Sequence, residues 1–353
     1  MRSIDNRHVA DPDTHTMGRS LLSYVKQKIQ QYLQDNSFEC IQIIGVNQRP
    51  TVSSGATIDS VRPAMRRVNP RTIQLLCFPS RNLVLHYVNL FAAFRQLWAQ
   101  HHFEIEYDLP EITSGRSIIR NSNLKLIGLK DLDLAVVGNV DNFGGVIGPG
   151  DSWQGIGESE HDIFRWKIST SATGRTTALI GCVERIWGHT GEHLLRELHA
   201  QLKVKTVIYI AKCGSLRKGF NSNECIATGQ QSFIEDGLIE RSTEWPSPFG
   251  NALKTCTKIA HGPVVTVATP LCESDQWLSK WEHNAAWVDC EVGFMAKAAD
   301  ELKIAFGFLL IVSDNLHHTT EENLSNENSK DIAAKRNVLY KEIVGILSRL
   351  IHT

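Results

Sequence analysis

The apolar run that precedes Asp314 is the feature that most constrains the fold of this chain. Phe308 to Val312 are all apolar, and Ser313 and Asp314 then end the run. A strand without polar positions must be covered on both faces, as in a sheet flanked by helices. The carboxyl ends of such strands are where open α/β sheets bind ligands. The run therefore predicts a buried strand that ends in a ligand site, although a turn or a helix N-cap would also explain a lone Ser-Asp pair.

Strands and helices alternate along the rest of the chain, which favours an α/β fold. In the second part we predict strands at 132–138, 176–181, 204–216, 224–234, 263–269 and 304–314, and helices at 188–202, 285–302 and 331–351. In the first part we predict strands at 39–46, 72–78 and 103–107, helices at 20–34 and 82–100, and irregular segments at 1–17, 47–71 and 110–123. We therefore expect a small N-terminal α/β appendage of unknown role (residues 1–125) and a larger α/β domain (residues 126–353).

Composition excludes several classes of partner. The net charge of -1 provides no basic field for nucleic acid or an anionic membrane. The chain has no run of 18 apolar residues that would predict a transmembrane helix, and its first residues lack the apolar core of a secretory signal. The 8 cysteines lack zinc-site spacing and suit reduced thiols. We expect a cytoplasmic protein without a cofactor and without nucleic-acid or membrane partners.

Three shorter motifs contain residue types that are common in functional sites. His189, Glu192 and His193 have helical spacing but not the order of a zinc-binding HExxH helix, so we expect no metal there. His317–His318 follow Asp314 in a polar loop, which is either an ordinary surface loop or a lid. The Gly-rich segment 144–151 lacks the Lys-Ser/Thr of a P-loop and is expected to form a flexible loop at the border of a pocket.

Three segments occur in an order that resembles one known family. They are VKTVIYIAKCGSLRKG (204–219), WVDCEVGFMAKAA (287–299) and FLLIVSDNLHHTTEE (308–322). Together they resemble the nucleoside phosphorylase/nucleosidase superfamily, which includes purine nucleoside phosphorylases, uridine phosphorylases and adenosine-type nucleosidases. The resemblance covers roughly residues 130–350 and implies a three-layer domain with a central mixed sheet. It also implies a homo-oligomer, in which a neighbouring subunit often completes the pocket.

The resemblance implies roles for the two carboxylates that its motifs contain. Asp314 would protonate or hydrogen-bond N7 of a purine as the base leaves, and general acid catalysis of this kind is worth roughly 10²–10⁴ in rate. To donate at pH 7, the pKa of Asp314 must rise by about 3 units, which burial can supply. Glu291 would hold the ribose hydroxyls, although a glutamate in a first helical turn can also simply favour the helix dipole.

Further substrate contacts follow from the same motifs. The resemblance places Asp289, Cys290, Ser313 and Gly214 beside the substrate, with Cys290 replacing the usual methionine. In the segment 267–281, which resembles the base-binding loop of the family, Leu271 stands where an aromatic residue usually stacks on the base. The identity of the base therefore stays open.

The phosphate site of the phosphorylases is altered in this sequence. Tyr209 stands where an arginine is expected and Lys212 where a serine is expected, and the first strand of the domain ends in Gly138–Asn142 without an arginine. A dianion in a dry pocket favours bidentate guanidinium partners. Lys212 could instead bind an anion, or pair with a carboxylate such as Asp141 and close the site.

The leading hypothesis is cleavage of the N-glycosidic bond of a purine nucleoside or nucleotide, with water preferred as the acceptor. Two alternatives remain. The chain could be a phosphorylase with an altered site for inorganic phosphate. It could also be a domain that senses nucleosides or nucleotides without turning them over.

Overall fold

The computed structural model describes residues 1–3, 10–33, 38–46, 62–98, 102–146, 152–155, 157, 159–236, 239–317, 322–327 and 329–352. The strands are β1 (Arg2–Ser3), β2 (Cys40–Gly45), β3 (Ala64–Asn69), β4 (Thr72–Cys77), β5 (Glu104–Asp108), β6 (Leu134–Gly138), β7 (Phe164–Thr170), β8 (Thr176–Cys182), β9 (Thr206–Ser215), β10 (Ile226–Thr228), β11 (Gln231–Asp236), β12 (Ile239–Glu244), β13 (Ile259–His261), β14 (Val264–Thr266), β15 (Trp287–Asp289) and β16 (Ala305–Asn315). The α-helices are α1 (Ser20–Leu33), α2 (Arg81–Leu97), α3 (Ser114–Asn121), α4 (His189–Leu202), α5 (Asp275–Trp281), α6 (Val292–Leu302) and α7 (Lys330–His352).

The N-terminal part of the chain forms a five-stranded mixed sheet in the order β1-β5-β2-β4-β3. Strand β2 is parallel to both β4 and β5, and α2 packs against β2 and β5. Two predictions were wrong here. The predicted irregular segment 47–71 contains β3, and the predicted linker 110–123 contains α3; residues 47–61 lie outside the described residues. Strand β3 is a mostly exposed edge strand, so it lacks the apolar alternation on which the prediction relied.

The rest of the chain forms an eleven-stranded mixed sheet with β9 and β16 paired in parallel near its centre. Side chains of β16 alternate between the two faces, as the period of a strand requires. Phe308 and Leu310 join an apolar cluster with α4 and α6, whereas Leu309 and Ile311 join a second cluster with α7. The apolar run is therefore covered on both faces, and the predicted three-layer α/β architecture with a central mixed sheet is confirmed.

Some predicted element boundaries were wrong in this larger sheet. The helix predicted from residue 285 begins at Val292, because residues 287–289 form β15 between β14 and β9. The single strand predicted at 224–234 is two strands, β10 and β11, and β7 was not predicted. A three-residue strand leaves too short an apolar pattern to separate it from the helix that follows.

The two sheets share apolar packing. One cluster of buried residues contains Leu21 and Ile41 from the N-terminal part together with Phe308 from the central strand. The predicted loose tail at 1–17 is also partly ordered, because the backbone N–H of Thr16 donates to the carbonyl of Glu273 at 3.0 Å. The division of the chain at residues 125/126 stays a prediction. Among the described residues, none of the helices combines the length and apolar character needed to cross a membrane.

Candidate active site

Strand pairing brings the three motif segments side by side. Gly214 of β9 pairs with Asp314 of β16 on one side and with Val288 of β15 on the other. The register of β16 against β9 shifts between Val312 and Asp314, so Ser313 is the extra residue of a bulge. Bulges re-aim the side chains next to them. The Asp314 carboxylate therefore lies at the point where the regular alternation of side chains along β16 is interrupted.

A cavity of about 190 Å³ lies at this meeting point. The predicted site residues that line it are Asp314, Glu291, Cys290, Asp289, Ser313, Gly214 and Lys212. Leu271 is the exception: it is buried in the apolar core, while its neighbours Pro270 and Glu273 line the cavity. Leu271 lies in the short 3₁₀ turn at 270–272 and is not among the residues that line the cavity, so its contact with the base stays a prediction.

Asp314 is buried, with 8% of its surface exposed. Burial raises the pKa of Asp314 to about 6, and the hydroxyl of Ser313, which donates to Oδ1 at 2.7 Å, opposes part of that rise. The negative charge of Glu327 raises this pKa further, whereas Lys212 lowers it. The direction agrees with the predicted elevated pKa, but the value lies below the roughly 7 needed for half protonation at neutral pH.

Glu291 and Asp289 divide two tasks at the start of α6. Asp289 accepts hydrogen bonds from the backbone N–H groups of Glu291 at 3.0 Å and Val292 at 2.6 Å, and from Thr266 Oγ1 at 2.5 Å. Asp289 therefore caps the helix, and burial raises its pKa to about 6. The carboxylate of Glu291 accepts a hydrogen bond from the Tyr209 hydroxyl at 3.3 Å and lines the cavity. Helix capping is thus done by Asp289 and does not require the Glu291 side chain.

Lys212 pairs with a carboxylate, but not with the one named from the sequence. Its Nζ contacts Oε2 of Glu327, while Asp141 forms an ion pair with Arg165. Arg165 does not line the cavity, but Arg185, just beyond the end of β8, does. An arginine is therefore present in the wall, although it comes from a segment that was not considered in the sequence.

Several other cavity residues were missed in the sequence. Tyr24 and Lys28 come from α1, Trp187 from the turn before α4, and Glu273 from the loop before α5. Burial and the nearby charge of Asp314 raise the pKa of Glu273 well above its usual range. Trp187 lies five residues after the end of β8, and its ring stacks on that of His86 with the ring centres 4.6 Å apart.

The minor motifs have structural contacts of their own. Glu192 accepts hydrogen bonds from Arg196 at 2.7 Å and from Lys297 at 3.3 Å, and Nε2 of His193 lies 2.6 Å from the carbonyl of Ile112. Within the described part of the chain, no cluster of three or more potential metal ligands is found. His317 contacts the carbonyl of Leu216 at 2.8 Å and does not line the cavity. His318 and residues 147–151 lie outside the described residues.

A search of curated proteins found no significant match. Among solved structures, a futalosine hydrolase mutant of Helicobacter pylori strain 26695 is 11% identical with a TM-score of 0.48, and the match covers 62% of this chain and 99% of the other. The 5'-methylthioadenosine/S-adenosyl homocysteine nucleosidase of Campylobacter jejuni is 11% identical with a TM-score of 0.49, and the match covers 62% of this chain and 99% of the other.

The family comparison covers the segment that builds the cavity. The profile described as "Phosphorylase superfamily" matches residues 167–348, which is just over half of the chain. The matched segment includes all three motif segments and the predicted site residues from Lys212 to Asp314. The chain therefore belongs to the phosphorylase superfamily, the nucleoside phosphorylase/nucleosidase group that its motifs resemble.

Proposed function

We propose that this protein cleaves the N-glycosidic bond of a purine nucleoside or nucleotide. The observation that carries the proposal is the presence of two buried carboxyl groups, Asp314 and Glu291, in the wall of one cavity. They come from separate motifs that β9, β15 and β16 hold next to each other. A paired arrangement of this kind is suited to a reaction in which one group handles the base and the other handles the sugar.

The chemistry assigns a different task to each carboxyl group. Breaking the C1′–N bond leaves positive charge on the sugar and negative charge on the base. A protonated Asp314 would donate to the base as the bond breaks, and general acids of this type are most efficient when their pKa lies near the working pH. Glu291 would bind the ribose hydroxyls, and interactions that strengthen in the transition state raise kcat.

Water is the acceptor that the residue at position 209 favours. Inorganic phosphate as an acceptor needs bidentate guanidinium partners beside the sugar, and position 209 holds a tyrosine. The Tyr209 hydroxyl, in place of the arginine expected there, is directed to Glu291. The presence of Arg185 in the wall is the observation that favours phosphorolysis as the second candidate.

Release of free base provides a direct test. The protein would be mixed with adenosine, inosine, adenosine 5′-monophosphate and methylthioadenosine, with and without inorganic phosphate. We expect free base and a free sugar or sugar 5-phosphate, at a rate that does not depend on phosphate. Ribose 1-phosphate formed in proportion to added phosphate would establish phosphorolysis instead. Tight binding of these compounds without release of base would favour the sensor alternative.

A further inference from the structure

The N-terminal part of the chain forms one wall of the cavity. Tyr24 and Lys28 of α1 line it, opposite residues supplied by the central strands of the larger sheet. They lie one helical turn apart, and the Lys28 ammonium is 5.2 Å from the centre of the Tyr24 ring. The side chain of Lys28 is only 17% exposed, which is unusual for a lysine because burial disfavours its charge.

Three cations surround a single carboxylate beside this wall. Nζ of Lys28 lies 3.2 Å from Oε1 of Glu327, Nζ of Lys212 contacts Oε2 of the same carboxylate, and Nη1 of Arg336 lies 3.8 Å from it. Lys28, Lys212 and Glu327 all line the cavity. Lys28, Lys212 and Glu327 together carry one net positive charge, and Arg336, which does not line the cavity, adds a second beside them. The nearby Asp314 carboxylate offsets part of this charge.

The neighbouring carboxylates already have other contacts. Asp289 caps α6, Glu291 accepts from Tyr209, and Asp314 accepts from Ser313. Nη2 of Arg336 is buried without a hydrogen-bond partner among the described residues. Burying charge without a partner is unfavourable. An anion that enters the cavity would give Lys28 and Lys212 a second partner beside Glu327.

We infer that Lys28 and Lys212 together bind a phosphate monoester carried by the substrate, so that α1 is part of the substrate-binding site. The preferred substrate is then a nucleoside monophosphate rather than an uncharged nucleoside. This inference rests on the proposed function for its choice of substrate, but the anion site itself can be tested without turnover. It also gives the N-terminal part of the chain a role that the sequence left unassigned.

The test compares matched substrates and matched lysine variants in the full-length protein. Base release would be measured from adenosine and adenosine 5′-monophosphate, and from inosine and inosine 5′-monophosphate. In the wild type we expect kcat/KM to be at least about tenfold higher for the monophosphates, since hydrogen bonds to charged groups are among the stronger ones. Lys28→Met should reduce this preference to about twofold or less, and Lys28→Arg should retain part of it.

Lys26→Met is the control, because Lys26 is an exposed lysine on the same helix. It should leave both the preference and the thermal midpoint unchanged. Equal kcat/KM for the nucleoside and its monophosphate in the wild type would overturn the inference. The inference would also fail if inorganic phosphate accelerated base release from adenosine in the wild type but not in Lys28→Met. The anion would then be a second substrate.

Calorimetry separates this inference from the proposed function. Binding of adenosine 5′-monophosphate would be measured for the wild type, Lys28→Met and Lys26→Met. If it binds in a Lys28-dependent manner but no base is released, the anion site is supported and the cleavage proposal fails. If base is released from all four substrates without a preference for the monophosphates, the cleavage proposal is supported and the anion site fails.

Discussion

Asp314 and Gly214 are direct register partners on the two central strands, and a Cβ atom added to Gly214 would lie 3.2 Å from Oδ2 of Asp314. The same Cβ would lie 2.8 Å from Leu316 Cδ1 and 2.9 Å from Val288 Cγ1. The absence of a side chain at Gly214 thus leaves the space that the Asp314 carboxyl and its neighbours occupy. The position of the Asp314 carboxyl in the third motif therefore depends on the absence of a side chain at Gly214 in the first motif.

Gly214→Ala should destabilise the protein by about 1–3 kcal/mol, because overpacking a filled site forces its neighbours to move. The free energy of unfolding would be measured by denaturant titration, together with the rate of base release. Gly345→Ala is the control, since its added Cβ would come no closer than 3.4 Å to a flexible arginine and alanine favours a helix. An unchanged stability in Gly214→Ala, with full activity, would contradict this account of the packing.

Asp314→Asn should slow base release by at least about a hundredfold, because asparagine cannot transfer a proton to the leaving base. Wild-type turnover should fall as pH rises through about 6, where Asp314 loses its proton. The exposed aspartate Asp300 gives a control in Asp300→Asn, which should keep both the rate and its pH dependence. Near-native turnover in Asp314→Asn would exclude Asp314 as the general acid.

The same variant should be more stable than the wild type at neutral pH. The pKa of Asp314 is raised from 3.8 to about 6 in the folded protein, so the folded state holds its proton more tightly than the unfolded chain does. The contribution of Asp314 to the free energy of unfolding is therefore fully present below the unfolded pKa of 3.8. It is lost as the pH rises through about 6, and the total loss is about 3 kcal/mol. The midpoint of thermal unfolding of Asp314→Asn should exceed that of the wild type at pH 8, and the difference should shrink at pH 4.

Glu291→Gln should lower kcat together with kcat/KM. Glutamine offers one acceptor oxygen, so it cannot hold both ribose hydroxyls as they bind more tightly in the transition state. Tyr209→Phe removes the hydroxyl that contacts Glu291 but keeps the carboxylate, so its effect on kcat should be smaller. A change in thermal stability of Glu291→Gln without any kinetic change would indicate a structural role only.

The central strands and the motif residues at their ends could be predicted because the sequence patterns that indicate them are local. The apolar run at 308–312 and the motif residues Gly214, Glu291 and Asp314 are each readable within a few positions of sequence. Strand β7 could also have been found, since Phe164, Trp166 and Ile168 alternate at period two.

The remaining wall of the cavity could not be predicted because it depends on packing between distant segments. Lys28 lies on an amphipathic helix where a lysine normally faces solvent, and its partner Glu327 is 299 positions away. Glu273 is the first of four consecutive polar residues and has no pattern that marks it as buried. Leu271 is predicted to contact the base because segment 267–281 resembles the base-binding loop of the family, whereas its side chain belongs to the apolar core and does not line the cavity.

Asp289 should control the geometry of Glu291 without contacting the reacting atoms. Its carboxylate accepts from Glu291 N, Val292 N and Thr266 Oγ1, so Asp289→Ala leaves three buried donors without an acceptor. We expect a loss of at least about 2 kcal/mol in the free energy of unfolding, because unsatisfied buried donors cost about 1–3 kcal/mol each. Activity should fall as well, since the N-terminus of α6 and with it Glu291 would shift.

Ser329→Ala is the matched control for Asp289→Ala, because Ser329 Oγ accepts from the backbone N–H of Ile332 at 3.3 Å in the first turn of α7. Loss of this ordinary cap should cost about 1 kcal/mol and leave base release unchanged. Asp289→Asn keeps one acceptor oxygen and should recover part of the stability and part of the rate. If Asp289→Ala lost stability but kept the wild-type kcat and KM, the position of Glu291 would not depend on this cap, and Asp289 would serve the fold alone.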